Sequence, residues 1–125
     1  MLVKEIMNSD AAAIASDASL FEACKEFERR HTDRLFVVLG EGPVGVLTKQ
    51  RLLEVEDSEP AGLHRTEVGQ AMEAGIVACY EDTAVEDAAA LVQEEHLSEI
   101  PVVNRYSRLV GRVSVRDIPV DTTLD

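Results

Sequence analysis

Where a predicted strand runs into a predicted helix, each of two stretches of the chain places a charged side chain three residues after a hydroxyl side chain. Thr48 precedes Arg51, and Ser114 precedes Asp117. A hydroxyl that ends a strand caps the following helix, and a side chain three residues later lies one turn away on the same face. A carboxylate there suits two vicinal hydroxyls of a ligand, while N–H groups at a helix start suit an anion. Capping explains the same residues without a ligand, and the residues alone favour capping.

The glycines at positions 40, 42 and 45 match the pattern G-x-G-x-x-G directly after an apolar segment. In a dinucleotide fingerprint the third glycine opens a helix whose N-terminus faces a pyrophosphate. Here Gly45 is followed by Val-Leu-Thr, which is typical of a strand. We therefore interpret these glycines as a hairpin turn and reject a dinucleotide site.

The sequence gives little indication of a metal site or of a catalytic nucleophile. His31 and His96 each end a predicted helix, where the helix dipole favours histidine, and each lacks a second ligand at helical spacing. Cys24 and Cys79 have no Cys-x-x-Cys or Cys-x-x-His neighbour, which predicts reduced, buried thiols. Because no Ser/His/Asp or Cys/His arrangement is evident, we predict no metal site and no catalytic activity.

The residues of interest lie at corresponding places in two sequence copies. The pattern Val-x-x-x-Met at residues 3–7 recurs at residues 68–72, and both histidines follow the same shift of 65 residues. Copies of about sixty residues that share a hydrophobic pattern usually share a fold. We predict a pseudo-symmetric pair packed face to face, with a cleft along its internal two-fold axis.

Each copy predicts the same order of elements, in which a short strand precedes a helix, a hairpin and a closing helix. One-sided apolar stripes predict the first helices near Ser19–His31 and Ala84–His96. Ser19-x-x-Glu22 and Thr83-x-x-Glu86 match capping boxes. The hairpins are predicted at Leu35–Leu39 with Gly45–Thr48 and at Ile100–Val103 with Leu109–Ser114, and the closing helices at Lys49–Glu56 and Val115–Ile118.

These elements predict boundaries for the two copies. The first copy covers residues 1–58, a linker covers 59–67, and the second copy covers 68–118. Pro119 is expected to stop the last helix, so that residues 119–125 form a frayed C-terminal tail.

Charge and composition limit the classes of function that we expect of this protein. The chain has 125 residues and a net charge of −12, and no Lys or Arg lies between residues 66 and 104. Such a surface opposes nucleic-acid binding. Three lysines against nine arginines, with excess acid, are typical of proteins from high-salt cytoplasm, and an ordinary acidic domain explains them equally well. With no membrane-length apolar run and no signal peptide, we expect a soluble cytoplasmic protein.

The repeated motifs resemble those of a tandem cystathionine-β-synthase (CBS) domain pair. The similarity covers Val3 to Ile118, through the Val-x-x-x-Met leaders, the Pro-Val-Val strand at residues 101–103, and the endings of the type Gly-x-hydrophobic-Ser/Thr-x-x-Asp. The resemblance implies an α/β (α+β) fold of two β-α-β-β-α units that pack through their sheets. It also implies AMP, ADP, ATP or S-adenosylmethionine in the clefts between the units, no required cofactor, and homodimers formed through helices.

The resemblance also implies site residues. Ser114 and Asp117 match the ending that holds ribose and phosphate. The first copy keeps Thr48 but has Arg51 where the carboxylate would lie, and a guanidinium has only donors, so this second cleft should bind weakly or meet a phosphate. The remaining implied residues are Val113 beside adenine, Arg112 or Arg116 at phosphate, Ala18 and Ala23 borrowed from the first copy, and Thr83 facing the second cleft.

The arginine candidates have a second explanation, because arginines beside Glu and Asp commonly form exposed ion pairs. Taken together, the sequence and the resemblance predict a non-enzymatic regulatory module. It would bind an adenosyl ligand and transmit occupancy to an unknown protein effector. The alternative is a homodimerisation module that binds no ligand.

Overall fold

The structure is a computed structural model, and it describes residues 1–118. The predicted helix stop at Pro119 and the C-terminal tail lie outside the described residues. The chain divides into two compact units. We call residues 12–76 the contiguous unit and residues 1–11 with residues 77–118 the discontinuous unit.

The contiguous unit contains a four-stranded sheet with helices beside it. The sheet has the order β1-β2-β3-β4, in which β1 is parallel to β2 and the other pairs are antiparallel. Leu35, Val37 and Leu47 point from this sheet into an apolar core. The elements are β1 (Ala13–Ala15), α2 (Leu20–Arg30), β2 (Arg34–Leu39), β3 (Gly42–Thr48), α3 (Lys49–Ser58), α4 (Gly62–Arg65), α5 (Val68–Ala71) and β4 (Glu73–Ala74), where α1 is the preceding helix of the other unit.

The discontinuous unit repeats this arrangement with a smaller sheet. The order is β5-β6-β7, in which β5 is parallel to β6, and β7 is antiparallel to β6. Ile100, Val102 and Val113 are fully buried in its core. The elements are α1 (Val3–Ile6), β5 (Cys79–Tyr80), α6 (Val85–Glu94), β6 (Glu99–Val103), β7 (Leu109–Ser114) and a 3₁₀ turn at Val115–Asp117.

The main helices confirm the predicted stripes. In α2 the buried residues are Leu20, Ala23 and Phe27, and Ser19 caps the helix by accepting from the Glu22 N–H at 3.1 Å. In α6 the cap prediction was wrong. This helix begins after Ala84, and Thr83 instead accepts from the Tyr80 N–H, because its hydroxyl closes the turn before the helix.

Both histidines at the helix ends adopt left-handed backbone conformations. The φ angles are 52° at His31 and 53° at His96. In each case the following N–H reaches back five residues, from Thr32 to Phe27 and from Leu97 to Val92. A hydrogen bond of this span closes the Schellman motif, in which many helices end. The residue with the left-handed backbone in that motif is usually glycine. The histidines therefore occupy helix-ending positions that explain their matching places in the two copies.

The predicted linker and closing helices differ in detail. Gly62–Arg65 forms a short helix inside the predicted linker, and α3 continues to Ser58. The second closing helix is only a 3₁₀ turn.

The interpretation of the three glycines as a hairpin turn is correct only in part. Gly40 occupies the turn with φ 67°, whereas Gly42 and Gly45 belong to β3.

Each leader segment packs in the unit formed by the other sequence copy. Val3 is fully buried in the discontinuous unit, where its N–H donates to the Thr83 carbonyl at 2.8 Å. Val68 is fully buried in the contiguous unit, where its N–H donates to the Ala18 carbonyl at 2.7 Å. The compact units are therefore composed differently from the sequence copies at residues 1–58 and 68–118.

The two thiols differ in exposure, and this difference gives a prediction. Cys79 is buried and Cys24 is partly exposed. Burial raises the pKa of the Cys79 thiol to about 11, from an ordinary value of 9.0. Since the thiolate is the nucleophile, a thiol reagent at pH 8 is expected to label Cys24 and to label Cys79 only after denaturation. A Cys24→Ala variant should be unreactive in the native state, and rapid labelling of that variant would contradict the prediction.

The raised pKa of the Cys79 thiol also makes the stability of the folded protein depend on pH. The Cys79 thiol stays neutral in the folded protein between pH 9 and pH 11, while the unfolded chain ionises. The contribution of Cys79 to stability is therefore complete below pH 9 and is lost as the pH rises towards 11. Denaturant titrations of wild type and Cys79→Ala across this range measure the difference, and parallel pH profiles would exclude it.

Candidate functional site

The Ser114–Asp117 junction holds its carboxylate in a fixed orientation. The N–H of Ser114 and its hydroxyl both donate to Asp117 Oδ2, at 3.0 and 3.1 Å. Within residues 1–118, no hydrogen bond is directed to the other carboxylate oxygen. Asp117 is only partly buried. The junction therefore presents a positioned acceptor of the kind that a diol requires.

The three residues predicted around this junction have three different surroundings. Val113 is fully buried, and its backbone pairs with Ile100 on β6, so its side chain belongs to the core. Arg112 has partners, because its Nη1 lies 3.2 Å from Glu99 Oε2 and its Nε donates to the Asp10 carbonyl at 3.4 Å. Arg116 is exposed on the 3₁₀ turn. Arg112 and Arg116 were both predicted at a phosphate. Arg112 instead forms an ion pair with Glu99, which is the second explanation that the sequence offered.

The Thr48–Arg51 junction has different chemistry. Thr48 Oγ1 accepts from the Arg51 N–H at 3.1 Å, which confirms that Thr48 caps α3. Arg51 Nε donates to the Ala71 carbonyl at 3.4 Å, so the leader segment of the second copy fixes the guanidinium. Here a cation occupies the position that Asp117 holds in the other unit.

A pocket of about 450 Å³ opens beside this junction, entirely within the contiguous unit. We call it the Arg51 pocket. It contains one cationic side chain and two carboxylates, with amide and apolar side chains between them. The lining residues are Val46, Thr48, Gln50, Arg51, Glu54, Gln70, Ala71, Met72 and Glu73.

The two units carry opposite charges at corresponding positions. In the contiguous unit Arg34 lies opposite Thr48 on the neighbouring strand, whereas in the discontinuous unit Glu99 lies opposite Ser114. Arg51 and Asp117 show the same reversal one turn further on. Similar backbones therefore offer donors in one unit and acceptors in the other.

The remaining predicted residues have local roles. Ala18 is partly buried, and its carbonyl accepts from the Val68 N–H. Ala23 is fully buried in the core of the contiguous unit, so its side chain has no surface for a ligand. Thr83 closes a turn in the discontinuous unit. Within the described residues, no three His, Cys, Asp or Glu side chains are grouped to hold a metal ion.

The sequence did not identify Gln70 and Glu73 as site residues. They reach the Arg51 pocket because α5 and β4 belong to the contiguous unit. The Val-x-x-x-Met pattern indicates a buried leader, but it does not say which copy the leader joins.

The family profile of the CBS domain matches residues 3–58 and 68–118. These matches cover most of the chain, and the repeated sheet-and-helix units agree with them. The protein therefore belongs to the CBS domain family, as a tandem pair, which confirms the resemblance drawn from its motifs.

Similar CBS domain pairs occur as parts of larger proteins and have been solved in complex with ligands. The carnitine transport ATP-binding protein OpuCA of Listeria monocytogenes is 32% identical over 96% of this chain, which spans 30% of that protein. The solved CBS domain pair of protein MJ0100, in complex with 5′-methylthioadenosine and S-adenosylmethionine, has a TM-score of 0.73 at 25% identity, covering 94% of this chain and 92% of that one. The cytosolic domain of the Mg²⁺ channel MgtE, in complex with ATP, has a TM-score of 0.76 at 26% identity, covering 90% and 45%.

The helices of residues 1–118 are too short or too polar to cross a bilayer. The longest, α2, has 11 residues and carries acidic and basic side chains.

Proposed function

We propose that this protein is a non-enzymatic regulatory module that binds an adenosyl ligand, with Ser114 and Asp117 holding the ribose hydroxyls. The orientation of the Asp117 carboxylate by two hydrogen bonds from Ser114 carries the proposal. A carboxylate that is already oriented loses little freedom on binding a diol. The backbone near Val113 would contact adenine, and exposed Arg116 would contact a phosphate where the ligand has one.

The solved relatives support the ligand class. The MJ0100 pair was solved with two adenosyl compounds, and the MgtE domain with ATP. Membership of one family and two junctions of the same backbone type make this class the best candidate here. Ligand binding would favour one conformation of the module over others, and an effector protein would respond to that shift.

Calorimetry on Asp117→Ala tests the proposal. Wild type is expected to bind at least one of AMP, ATP and S-adenosylmethionine. Asp117→Ala should weaken that binding about 10- to 100-fold, since hydrogen bonds to charged groups contribute about 1.5–3 kcal/mol. Asp87→Ala is the matched control, because Asp87 is an exposed acid on the first turn of α6 in the same unit. Equal affinities of wild type and Asp117→Ala would exclude the role of Asp117.

A structural homodimerisation module that binds no ligand is the second candidate. The ion pair of Arg112 with Glu99 and the net charge of −12 both disfavour an anionic ligand. Phe21 and Leu53 are exposed on helices of the contiguous unit and offer apolar surface to a second copy. Because a ligand that binds the folded state must stabilise it, a melting temperature unchanged by millimolar adenosyl compounds would favour this candidate.

A further inference from the structure

We propose that the tip of the hairpin between β6 and β7, together with Tyr80, is a docking surface for an acidic segment of another protein. The tip consists of residues 104–108, and we call these residues with Tyr80 the Tyr–Arg surface. The tip lies at the start of β7, whereas the Ser114–Asp117 junction lies at the end of that strand. Docking there therefore does not depend on an adenosyl ligand.

Both tyrosines of the chain are exposed at the same end of one sheet. Tyr80 pairs with Val103 across the parallel strands β5 and β6, and the tip begins at the next residue. The exposed fractions are 55% for Tyr80 and 65% for Tyr106. A tyrosine side chain offers apolar area together with a hydroxyl, and tyrosine and arginine are enriched where proteins bind one another. This composition favours a protein partner.

The backbone of the tip is held by its own hydrogen bonds. Asn104 Oδ1 accepts from the N–H groups of Tyr106 and Arg108, at 2.9 and 3.1 Å. The Asn104 N–H donates to the Arg108 carbonyl at 3.0 Å, which closes the loop. Arg105 lies against the ring of Tyr106, with its Cζ 4.9 Å from the ring centroid, and this cation–π contact orients the guanidinium. A surface that is ordered in advance loses little freedom when a partner binds.

Charge complementarity indicates that the partner segment is acidic. Residues 100–116 contain four arginines and no Asp or Glu, in a chain whose net charge is −12. Arg105 is exposed, and no carboxylate of the described residues forms an ion pair with it. Of the two acids in the turn after β5, Glu81 is partly buried and Asp82 pairs with Lys4 at 3.1 Å. The guanidinium of Arg105 can therefore receive a carboxylate from a partner.

The fold does not require the aromatic and basic side chains of the tip. The corresponding hairpin of the contiguous unit closes between β2 and β3 with Gly40 and Glu41, and it has no arginine or aromatic residue there. The same type of hairpin thus forms without Arg105 and Tyr106.

A protein segment suits this surface better than a nucleic acid does. Exposed tyrosine and arginine can also stack on the bases of a single strand. A nucleic-acid strand, however, carries a negative charge at every nucleotide and would continue onto the rest of the unit, whose residues 77–104 include no Lys or Arg. The carboxylates of a protein segment can be confined to the few positions that meet the tip.

Nuclear magnetic resonance on the full chain tests the proposal with two short synthetic peptides. One contains glutamate, glycine and leucine, and the other has glutamine in place of every glutamate. The glutamate peptide is expected to shift the amide signals of Tyr80 and residues 104–108 and to bind about 5-fold more tightly than the glutamine peptide. Arg105→Gln should remove most of this preference, whereas Tyr106→Ala should weaken both peptides about 5-fold or more.

Controls and competing probes make each result decisive. Arg65→Gln removes an exposed arginine from the contiguous unit and should keep the wild-type preference. Equal affinity of wild type for the two peptides, no binding of either, or shifts that map away from the tip would overturn the proposal. Stronger shifts of the same signals by oligouridine would assign the surface to nucleic acid instead. Tip signals that move with protein concentration alone would assign it to a second copy, and either result would also overturn the proposal.

Discussion

Removal of residues 1–8 is expected to unfold residues 77–118 while residues 12–76 stay folded. The leader supplies partners throughout the discontinuous unit. Val3 donates to the Thr83 carbonyl, Asn8 exchanges two hydrogen bonds with Arg112, and the Met1 carbonyl accepts from Val85. Losing these bonds together with the buried Val3 side chain should cost more than about 3 kcal/mol.

Hydrogen exchange resolved along the chain measures this effect. In the truncated protein, protection should fall across β6 and β7 and persist in β2 and β3. Val3→Ala is a milder version, expected to cost about 1–3 kcal/mol because it leaves a cavity in a filled core. Lys4→Ala, at an exposed neighbour, is the control and should change little. If protection were lost first in residues 12–76, the assignment of the leader would be wrong.

Gly111→Ala and Gly45→Ala are expected to destabilise the protein strongly, each in its own unit. A β-carbon at Gly111 would lie 2.8 Å from the Asn8 carbonyl oxygen and 2.9 Å from Met7 Sδ. At Gly45 the corresponding distances are 2.6 Å to the Glu73 carbonyl oxygen and 2.7 Å to Met72 Sδ. Each glycine therefore lets a leader lie against the returning strand.

The backbone oxygen decides the size of the effect, since it cannot rotate away as a methionine side chain can. Forcing a methyl group into such a contact costs about 1–3 kcal/mol, and thermal unfolding should show it. Gly62→Ala is the control, because its nearest neighbour would lie 3.5 Å away on Glu59 and alanine favours a helix. Melting temperatures of Gly111→Ala and Gly45→Ala equal to that of wild type would contradict the prediction.

Much of the fold could be predicted from local pattern. The helix stripe at Leu20, Ala23 and Phe27 has the helical period, and the short apolar runs at β2 and β6 contain the β-branched residues that are typical of buried strands. These signals depend on residues within one element. The pairing of the leaders could not be predicted in the same way. Val3 and Val68 have equivalent surroundings in sequence, so the pattern fits burial in either copy.

The candidate site was predictable to a similar extent. A hydroxyl before a helix predicts a cap, and Thr48 makes one. The pairing of Arg112 with Glu99 depends on strand register, which a bulge between Val102 and Val103 shifts. The Arg51 pocket needs Glu73, which lies in the other sequence copy. Site features that cross between copies therefore required the three-dimensional structure.

The reciprocal placement of the leaders has the form of domain swapping carried out inside one polypeptide. One copy on its own lacks the leader that packs in its unit and would need one from an identical neighbour, as swapped dimers do. Joining two such copies end to end makes that exchange independent of protein concentration. It also allows the two halves to carry different residues at corresponding positions, such as Arg51 and Asp117, without competition from mismatched assemblies.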